Sequence, residues 1–287
     1  MRYEAPTTID GAVSLLAAAN GKAKVLAGGT DLIIQMRGGR LAPELVVDLK
    51  RIPALTSIAS ENGGYRVGAA KACMELVENE AFASDCPGVT DSVKLIGSIQ
   101  VKGRCSIGGN LCNASPAADS VPALIAAGAK ARIVGPKGTR DVPVEDVAVG
   151  PGKTSLGNGE IVESLYIPKR KPGSADAYLR FTPRTEMDIA VVSAAVSITL
   201  DEGGVCRDAR VSLGAVAERA LLVPEAAKAL IGTKVDDAAL AALASAASAA
   251  CRPIDDKRGT KEYRIKVAGV LAKRAAQIAL DRARRKN

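Results

Sequence analysis

The sequence predicts an α+β protein of two domains, in which antiparallel hairpins and short helices are followed by a second sheet covered by terminal helices. Its 287 residues suggest about two domains. Hairpin signals in both halves and three consecutive helical segments at the end predict the class. A basic, proline-containing stretch at 168–172 separates the halves and predicts a linker.

The chain begins with short elements joined by turns. Thr7 and Thr8 are expected to cap a first helix. Residues 24–26 predict a buried strand that runs into a glycine turn and a second helix. Glu61-Asn62-Gly63-Gly64 lies between two β-like runs, and it predicts a hairpin because Asn and Gly tolerate positive φ.

A long glycine-rich stretch lies in the middle of the first half. Helical patterns at 74–82 and 89–96 precede it. Residues 97–116 show neither a helical nor a strand period, so we interpret them as a functional loop. Three predicted elements complete this half, namely a helix at 120–127, a hairpin around Gly135-Pro136-Lys137-Gly138 and a strand at 160–167.

The second half predicts a hairpin and three helices. Two β-like runs, 189–200 and 206–216, flank Asp201-Glu202-Gly203-Gly204. Helices are predicted at about 224–231, 236–250 and 263–285. We therefore expect a first domain at 1–170, with subdomains at about 1–54 and 55–170, and a second domain at 173–287.

The composition excludes several functions. The chain has no histidine, no tryptophan, five tyrosines and two phenylalanines. Catalysis and metal binding by histidine are therefore impossible, and aromatic platforms for single-stranded nucleic acid are nearly so. The net charge of +8 is densest at Arg282, Arg284, Arg285 and Lys286. Because cations suit a helix end, we interpret this run as a solvated tail or docking surface and expect no nucleic-acid partner.

The cysteines and the apolar runs predict a cytoplasmic protein. The six cysteines form no Cys-x-x-Cys pair and no familiar cluster, so we expect free thiols and no metal site. The first twelve residues contain no apolar signal-peptide core, and no run is long enough for a membrane span. A reducing compartment is the expectation that follows.

Two glycine loops are the candidate binding site. They read Val25-Leu26-Ala27-Gly28-Gly29-Thr30-Asp31 and Ser106-Ile107-Gly108-Gly109-Asn110. Consecutive backbone N–H groups at such loops bind anions, and two loops in one domain fit the pyrophosphate of a dinucleotide. Each loop could equally be a tight turn. Neither has the Gly-x-Gly-x-x-Gly spacing, and Gly152-Lys153-Thr154 lacks the earlier glycine of a P-loop.

Both loops belong to longer motifs that resemble a known family. The stretches 25–32 and 106–122 look like the two flavin loops of the FAD-binding medium subunits of molybdenum hydroxylases. That family includes carbon monoxide dehydrogenase, xanthine dehydrogenase and 4-hydroxybenzoyl-CoA reductase. The similarity continues through Glu160-Ile161-Val162, Tyr178 to Ala190, Arg258-Gly259 and Glu262-Tyr263-Arg264.

The resemblance implies a fold and a set of FAD contacts. The first domain would be of the vanillyl-alcohol-oxidase type, with two subdomains, and the second would be the α+β flavoprotein domain. FAD would be held by Val25, Leu26 and the backbones of Ala27–Asp31 and Ser106–Asn110. The remaining positions that match family flavin contacts are Ile96, Asp119, Val162 and Arg180, the last of which is often lysine in relatives.

Asp31 stands where some members of the family have serine. Because a carboxylate would repel a pyrophosphate, we expect Asp31 to cap the helix that follows.

The resemblance also implies partners. Substrate would be oxidised at a molybdenum cofactor in a large subunit, and electrons would pass through 2Fe–2S clusters of a small subunit to FAD in this chain. The complex would be a dimer of heterotrimers that reduces an external acceptor. The chain itself would hold no metal and no catalytic residue. The alternative is a stand-alone FAD-dependent oxidase of a small alcohol, which the lack of histidine disfavours.

Overall fold

A computed structural model describes residues 1–285. The chain begins with a small parallel sheet of strand order β1-β3-β2. Its elements are β1 (Arg2–Glu4), α1 (Ile9–Ala18), β2 (Ala23–Leu26), α2 (Leu32–Arg37) and β3 (Leu45–Asp48). Thr8 caps α1 as predicted, since its Oγ1 accepts a hydrogen bond from Gly11 N at 3.1 Å.

The second sheet is antiparallel, with strand order β4-β5-β10-β6-β7. Both hairpins predicted in this half form, and Asn62 and Gly63 turn the first one with φ of +50° and +74°. The strands are β4 (Ile58–Glu61), β5 (Gly64–Gly68), β6 (Lys130–Gly135), β7 (Gly138–Pro143) and β10 (Ile161–Ile167), with a separate pair β8 (Ala148–Gly150) and β9 (Lys153–Thr154).

Short helices cover this sheet. They are α3 (Pro53–Thr56), α4 (Cys73–Glu78), α5 (Glu80–Asp85), α6 (Pro87–Lys94), α7 (Ile99–Lys102), α8 (Ile107–Cys112) and α9 (Ser120–Ala126), with a 3-10 turn at Val144–Asp146. The expectation that 97–116 lacks helix is wrong, because α7 and α8 lie within it. Ser98 and Ser106 cap these helices, which are too short to show a helical period.

The third sheet is antiparallel, with strand order β11-β12-β13-β14. Its strands are β11 (Ser174–Phe181), β12 (Val192–Leu200), β13 (Cys206–Gly214) and β14 (Leu221–Leu222), and the helices after them are α10 (Pro224–Lys228), α11 (Asp237–Ala250) and α12 (Lys261–Arg284). The predicted hairpin and three helices are present. The sequence analysis missed five strands, namely β1, β8, β9, β11 and β14.

The third sheet joins the two halves because both of its faces are covered. Alternate residues of β11, such as Ala175 and Ala177, enter an apolar cluster shared with α11 and α12. Residues on the opposite face point toward α6 and α9, and Tyr178 lies in the apolar cluster of the second sheet. The side chains of β11 that face the N-terminal half are therefore positioned by a buried strand.

The basic end of α12 is only partly a solvated tail. Arg282 donates hydrogen bonds to Asp91 Oδ2 at 2.6 Å and to the Asp176 carbonyl at 2.8 Å. The expectation of a solvated run is therefore wrong for Arg282, while Arg284 and Arg285 are exposed. Lys286 lies outside the described residues.

None of the six cysteines, all within the described residues, forms a disulfide, and five of them are buried. Within residues 1–285 no helix is long and apolar enough to cross a membrane.

Candidate functional site

The first glycine loop follows β2 at the end of the parallel sheet. Gly29 has φ of +78°, a conformation that side-chain-bearing residues rarely adopt. A Cβ on Gly28 would lie only 2.1 Å from the Arg104 carbonyl oxygen. Gly28 therefore lets this loop rest against the segment that leads into the second loop.

The second glycine loop meets the first. A Cβ built on Gly109 would lie 3.9 Å from the Ala27 Cβ, so the two loops are neighbours. Gln35 Nε2 in α2 also donates a hydrogen bond to Asn113 Oδ1 at 3.0 Å, just after α8. The structure thus brings together the two segments that the sequence places about 80 residues apart.

Several backbone N–H groups of the two loops have no acceptor within residues 1–285 of the protein. In the part of the chain that the structure describes, the N–H groups of residues 28–31 and of Gly108 donate no hydrogen bond to protein. Ser106 Oγ accepts from Gly109 N at 3.0 Å and so orients the start of α8. Unpaired N–H groups on adjacent turns suit the oxygens of a pyrophosphate, so the residues present fit FAD.

Lys50 supports the first loop, and the sequence analysis missed it. Its Nζ donates to the Ala27 carbonyl at 2.9 Å and to Asp48 Oδ1 at 2.6 Å. Burial alone would raise the pKa of Asp48, but hydrogen bonds from Lys50 and Tyr3 outweigh burial and hold that pKa below its usual value. No local pattern marks the contact of Lys50 with the first loop, because Ala27 follows a different strand, β2, and is distant from Lys50 in the sequence.

Asp119 in the first half of the chain binds two residues of β11 in the second half. Its carboxylate accepts hydrogen bonds from Tyr178 OH at 2.8 Å and from Arg180 Nη1 at 2.7 Å. Burial raises the pKa of Asp119 to about 6, although the charge of Arg180 and both hydrogen bonds oppose that rise. Tyr178 was missed as a partner, yet the alternation of residues 174–181 places it on the same strand face as Arg180.

The other predicted positions lie in two different environments. Asp31 occupies the residue before α2, but its side chain makes no capping hydrogen bond, so the expectation that it caps the helix is wrong. Burial raises the pKa of its carboxyl. Ile96 and Val162, 8% and 4% exposed, lie in the apolar cluster of the second sheet. Val25 and Leu26 begin the first loop and are the last two residues of β2. Val25 is 39% exposed, so the expectation of a buried strand at 24–26 is wrong.

Asn110 has a structural task in addition to its place in the second loop. Its Oδ1 accepts hydrogen bonds from Ser120 N at 3.1 Å and from Ser120 Oγ at 2.7 Å, which fixes the start of α9 against α8. Asp119, the neighbour of Ser120, is thereby held near the loop.

Family models match nearly the whole chain. The model of the FAD binding domain in molybdopterin dehydrogenase matches residues 1–170, and that of the CO dehydrogenase flavoprotein C-terminal domain matches residues 177–279. The fold and the site thus define a flavoprotein that combines an FAD-binding domain with a C-terminal flavoprotein domain, as the resemblance implied.

Several relatives match over nearly their full length. The carbon monoxide dehydrogenase medium chain of Afipia carboxidovorans is 35% identical over 98% of this chain and 97% of its own. The xanthine dehydrogenase FAD-binding subunit of Escherichia coli O157:H7 is 28% identical over 97% of this chain and 95% of its own. A solved structure of reconstituted CO dehydrogenase from Oligotropha carboxidovorans has a TM-score of 0.95 at 34% identity, covering 98% of both chains. The chain belongs to the FAD-binding medium subunits of the molybdenum hydroxylases.

Proposed function

We propose that the two glycine loops jointly hold FAD, with the backbones of residues 27–31 and 106–110 on its pyrophosphate and ribityl chain. The observation that carries this proposal is the meeting of the loops through Gly28 and Gly109, with unpaired N–H groups beside them. In this arrangement Lys50 holds the Ala27 carbonyl away from the anion, so that N–H groups rather than carbonyl oxygens face it.

Four further residues complete the proposed site. Asp119, fixed by Tyr178 and Arg180, places a polar group beside the second loop. Ile96 and Val162 support the flavin from the apolar cluster of the second sheet. The flavin site then belongs to a first domain at 1–170, and a second domain at 173–287 contributes Arg180.

The proposed role is electron transfer. FAD supplies the redox chemistry, and the chain binds, orients and tunes it. Electrons arrive from 2Fe–2S clusters of a small subunit, after substrate oxidation at the molybdenum cofactor of a large subunit, and leave to an external acceptor. The proposed complex is a dimer of heterotrimers. A cytoplasmic location stays a prediction that rests on the free thiols.

The helix α2, which follows the first loop, exposes apolar side chains, and this favours the binding of a partner subunit there. None of the residues of α2 is buried, although it carries Leu32, Ile33 and Ile34. Ile34 is 69% exposed, and Ile99 on α7 is 64% exposed. Apolar surface of this kind marks interaction sites, so we assign the α2 face to a partner subunit.

The flavin proposal is tested by titrating the FAD-free chain with FAD and following the change in its visible spectrum. We expect stoichiometric binding. Gly28→Ala should weaken it at least tenfold, because the new Cβ cannot coexist with the Arg104 carbonyl. Gly103→Ala is the matched control, since its Cβ would meet only ordinary contacts at 3.5 Å. Equal affinity of both variants would contradict the proposed site.

The partner proposal is tested by co-purification. Ile34→Asp should reduce recovery of the other two subunits without changing the flavin content of the chain. Ile254→Asp, equally exposed at 67% but outside α2, should leave recovery unchanged. Oxidation of a small alcohol by the isolated, FAD-loaded chain would instead favour the stand-alone oxidase.

A further inference from the structure

Two cysteines face each other where α4 begins and the second glycine loop starts. Ala72 and Ser106 form an isolated antiparallel bridge, and Cys73 N donates a hydrogen bond to the Cys105 carbonyl at 2.8 Å. In that antiparallel arrangement Cys73 lies opposite Cys105, and residues that lie opposite each other have Cα atoms about 4.5–5.5 Å apart and side chains on one face. That separation is the one at which disulfides form, and the two thiols are hydrogen-bonded to each other.

The two thiols differ in their surroundings. The hydrogen bond from Cys73 lowers the pKa of Cys105; burial opposes this change, and the charge of Lys102 adds to it. The same hydrogen bond, together with burial, raises the pKa of Cys73. Cys73 is fully buried, whereas Cys105 keeps 6% exposure. Cys105 is therefore the thiol that ionises and is reached first, and Cys73 is placed to react with it.

Two other thiols, Cys112 and Cys251, ionise less readily than an ordinary cysteine. Burial raises the pKa of Cys112 to about 12 and that of Cys251 to about 11. An oxidant that needs a thiolate should therefore prefer Cys105 to either of these.

We propose that Cys73 and Cys105 form a dithiol site that hydrogen peroxide converts into an intrachain disulfide. The Cys105 sulfur attacks one peroxide oxygen, the O–O bond breaks and hydroxide leaves, which gives a sulfenic acid. The Cys73 sulfur then attacks the Cys105 sulfur, the S–O bond breaks and water leaves. In sum, two thiols lose two electrons and two protons, and one hydrogen peroxide becomes two water molecules.

The disulfide would act on the second glycine loop. Cys105 directly precedes Ser106, the cap of α8, and its Cα lies 2.8 Å from a Cβ built on Gly28 of the first loop. A covalent link from Cys105 to α4 restrains the start of α8. The restrained loop should release FAD more slowly in the oxidised chain. This effect rests on the proposed function.

The disulfide itself is tested on the FAD-loaded full chain. The chain is treated with one equivalent of hydrogen peroxide, alkylated, digested without reductant and analysed by mass spectrometry. We expect the peptides of Cys73 and Cys105 joined and lighter by two hydrogens, with the other four cysteines alkylated. In Cys73→Ser, Cys105 should be trapped by dimedone as sulfenic acid, whereas Cys112→Ser should still form the link. Full alkylation of both cysteines while another thiol oxidises would overturn the proposal.

The effect on the loop is tested by the rate of FAD release after dilution, read from flavin fluorescence. We expect slower release after peroxide, reversal by dithiothreitol and no change in Cys73→Ser. Equal rates in a chain that carries the disulfide would overturn the restraint of the loop. A chain that binds no FAD before any oxidation would count against the proposed function instead.

Discussion

Asp119 makes the stability of this protein depend on pH in a direction opposite to that of most carboxylates. Its side chain is buried between Tyr178 and Arg180, and its pKa is raised from 3.8 to about 6, chiefly by burial. The folded chain therefore holds this proton more tightly than the unfolded chain does. The stabilisation of the folded chain by this tighter proton binding is fully present below about pH 4 and is lost as the pH rises through about 6.

The size of the effect follows from the shift. One pKa unit corresponds to about 1.4 kcal/mol, so a shift of about two units amounts to about 3 kcal/mol of unfolding free energy. Asp119→Asn keeps the shape of the protonated acid but cannot ionise. The unfolding free energy of the wild-type chain minus that of the variant should therefore fall by about 3 kcal/mol between about pH 4 and about pH 7.

Urea unfolding of both chains across this range measures the difference. Asp141→Asn is the matched control, because the hydrogen bond from Arg132, at 2.9 Å, lowers the pKa of Asp141. The unfolding free energy of the wild-type chain minus that of Asp141→Asn should rise with pH. The rise should stay below about 1 kcal/mol, since this pair is exposed. A wild-type minus Asp119→Asn difference that is constant with pH would refute the reasoning.

Three more substitutions test the supports of the site. Ser106→Ala should cost about 1 kcal/mol of stability and weaken FAD binding in a spectral titration, whereas Ser98→Ala, which uncaps α7, should change only stability in urea unfolding. Lys50→Met should weaken FAD binding about tenfold by releasing the Ala27 carbonyl, with the exposed Lys24→Met unchanged in the same titration. Arg282→Gln should lower the melting temperature by a few degrees, because the ion pair between Arg282 and Asp91 is lost, and it should leave the FAD affinity unaltered.

Local signals were readable where a few neighbouring residues determine the backbone. The hairpin at Asn62-Gly63 was predicted because these residues accept positive φ, and they adopt it. The helix α12 was predicted because its apolar stripe extends over several turns. The helices α7 and α8 were missed because four and six residues cannot show a period, even though a serine caps each.

The site divides in the same way. The sequence by itself determined both glycine loops, the family motif around them and the absence of histidine chemistry, since these depend on residue identity and spacing alone. Only the tertiary structure decided that Gly28 meets Arg104, that Lys50 holds Ala27 and that Cys73 faces Cys105. The physical reason is that such contacts depend on strand order and on which surfaces are buried together, and local periodicity carries neither.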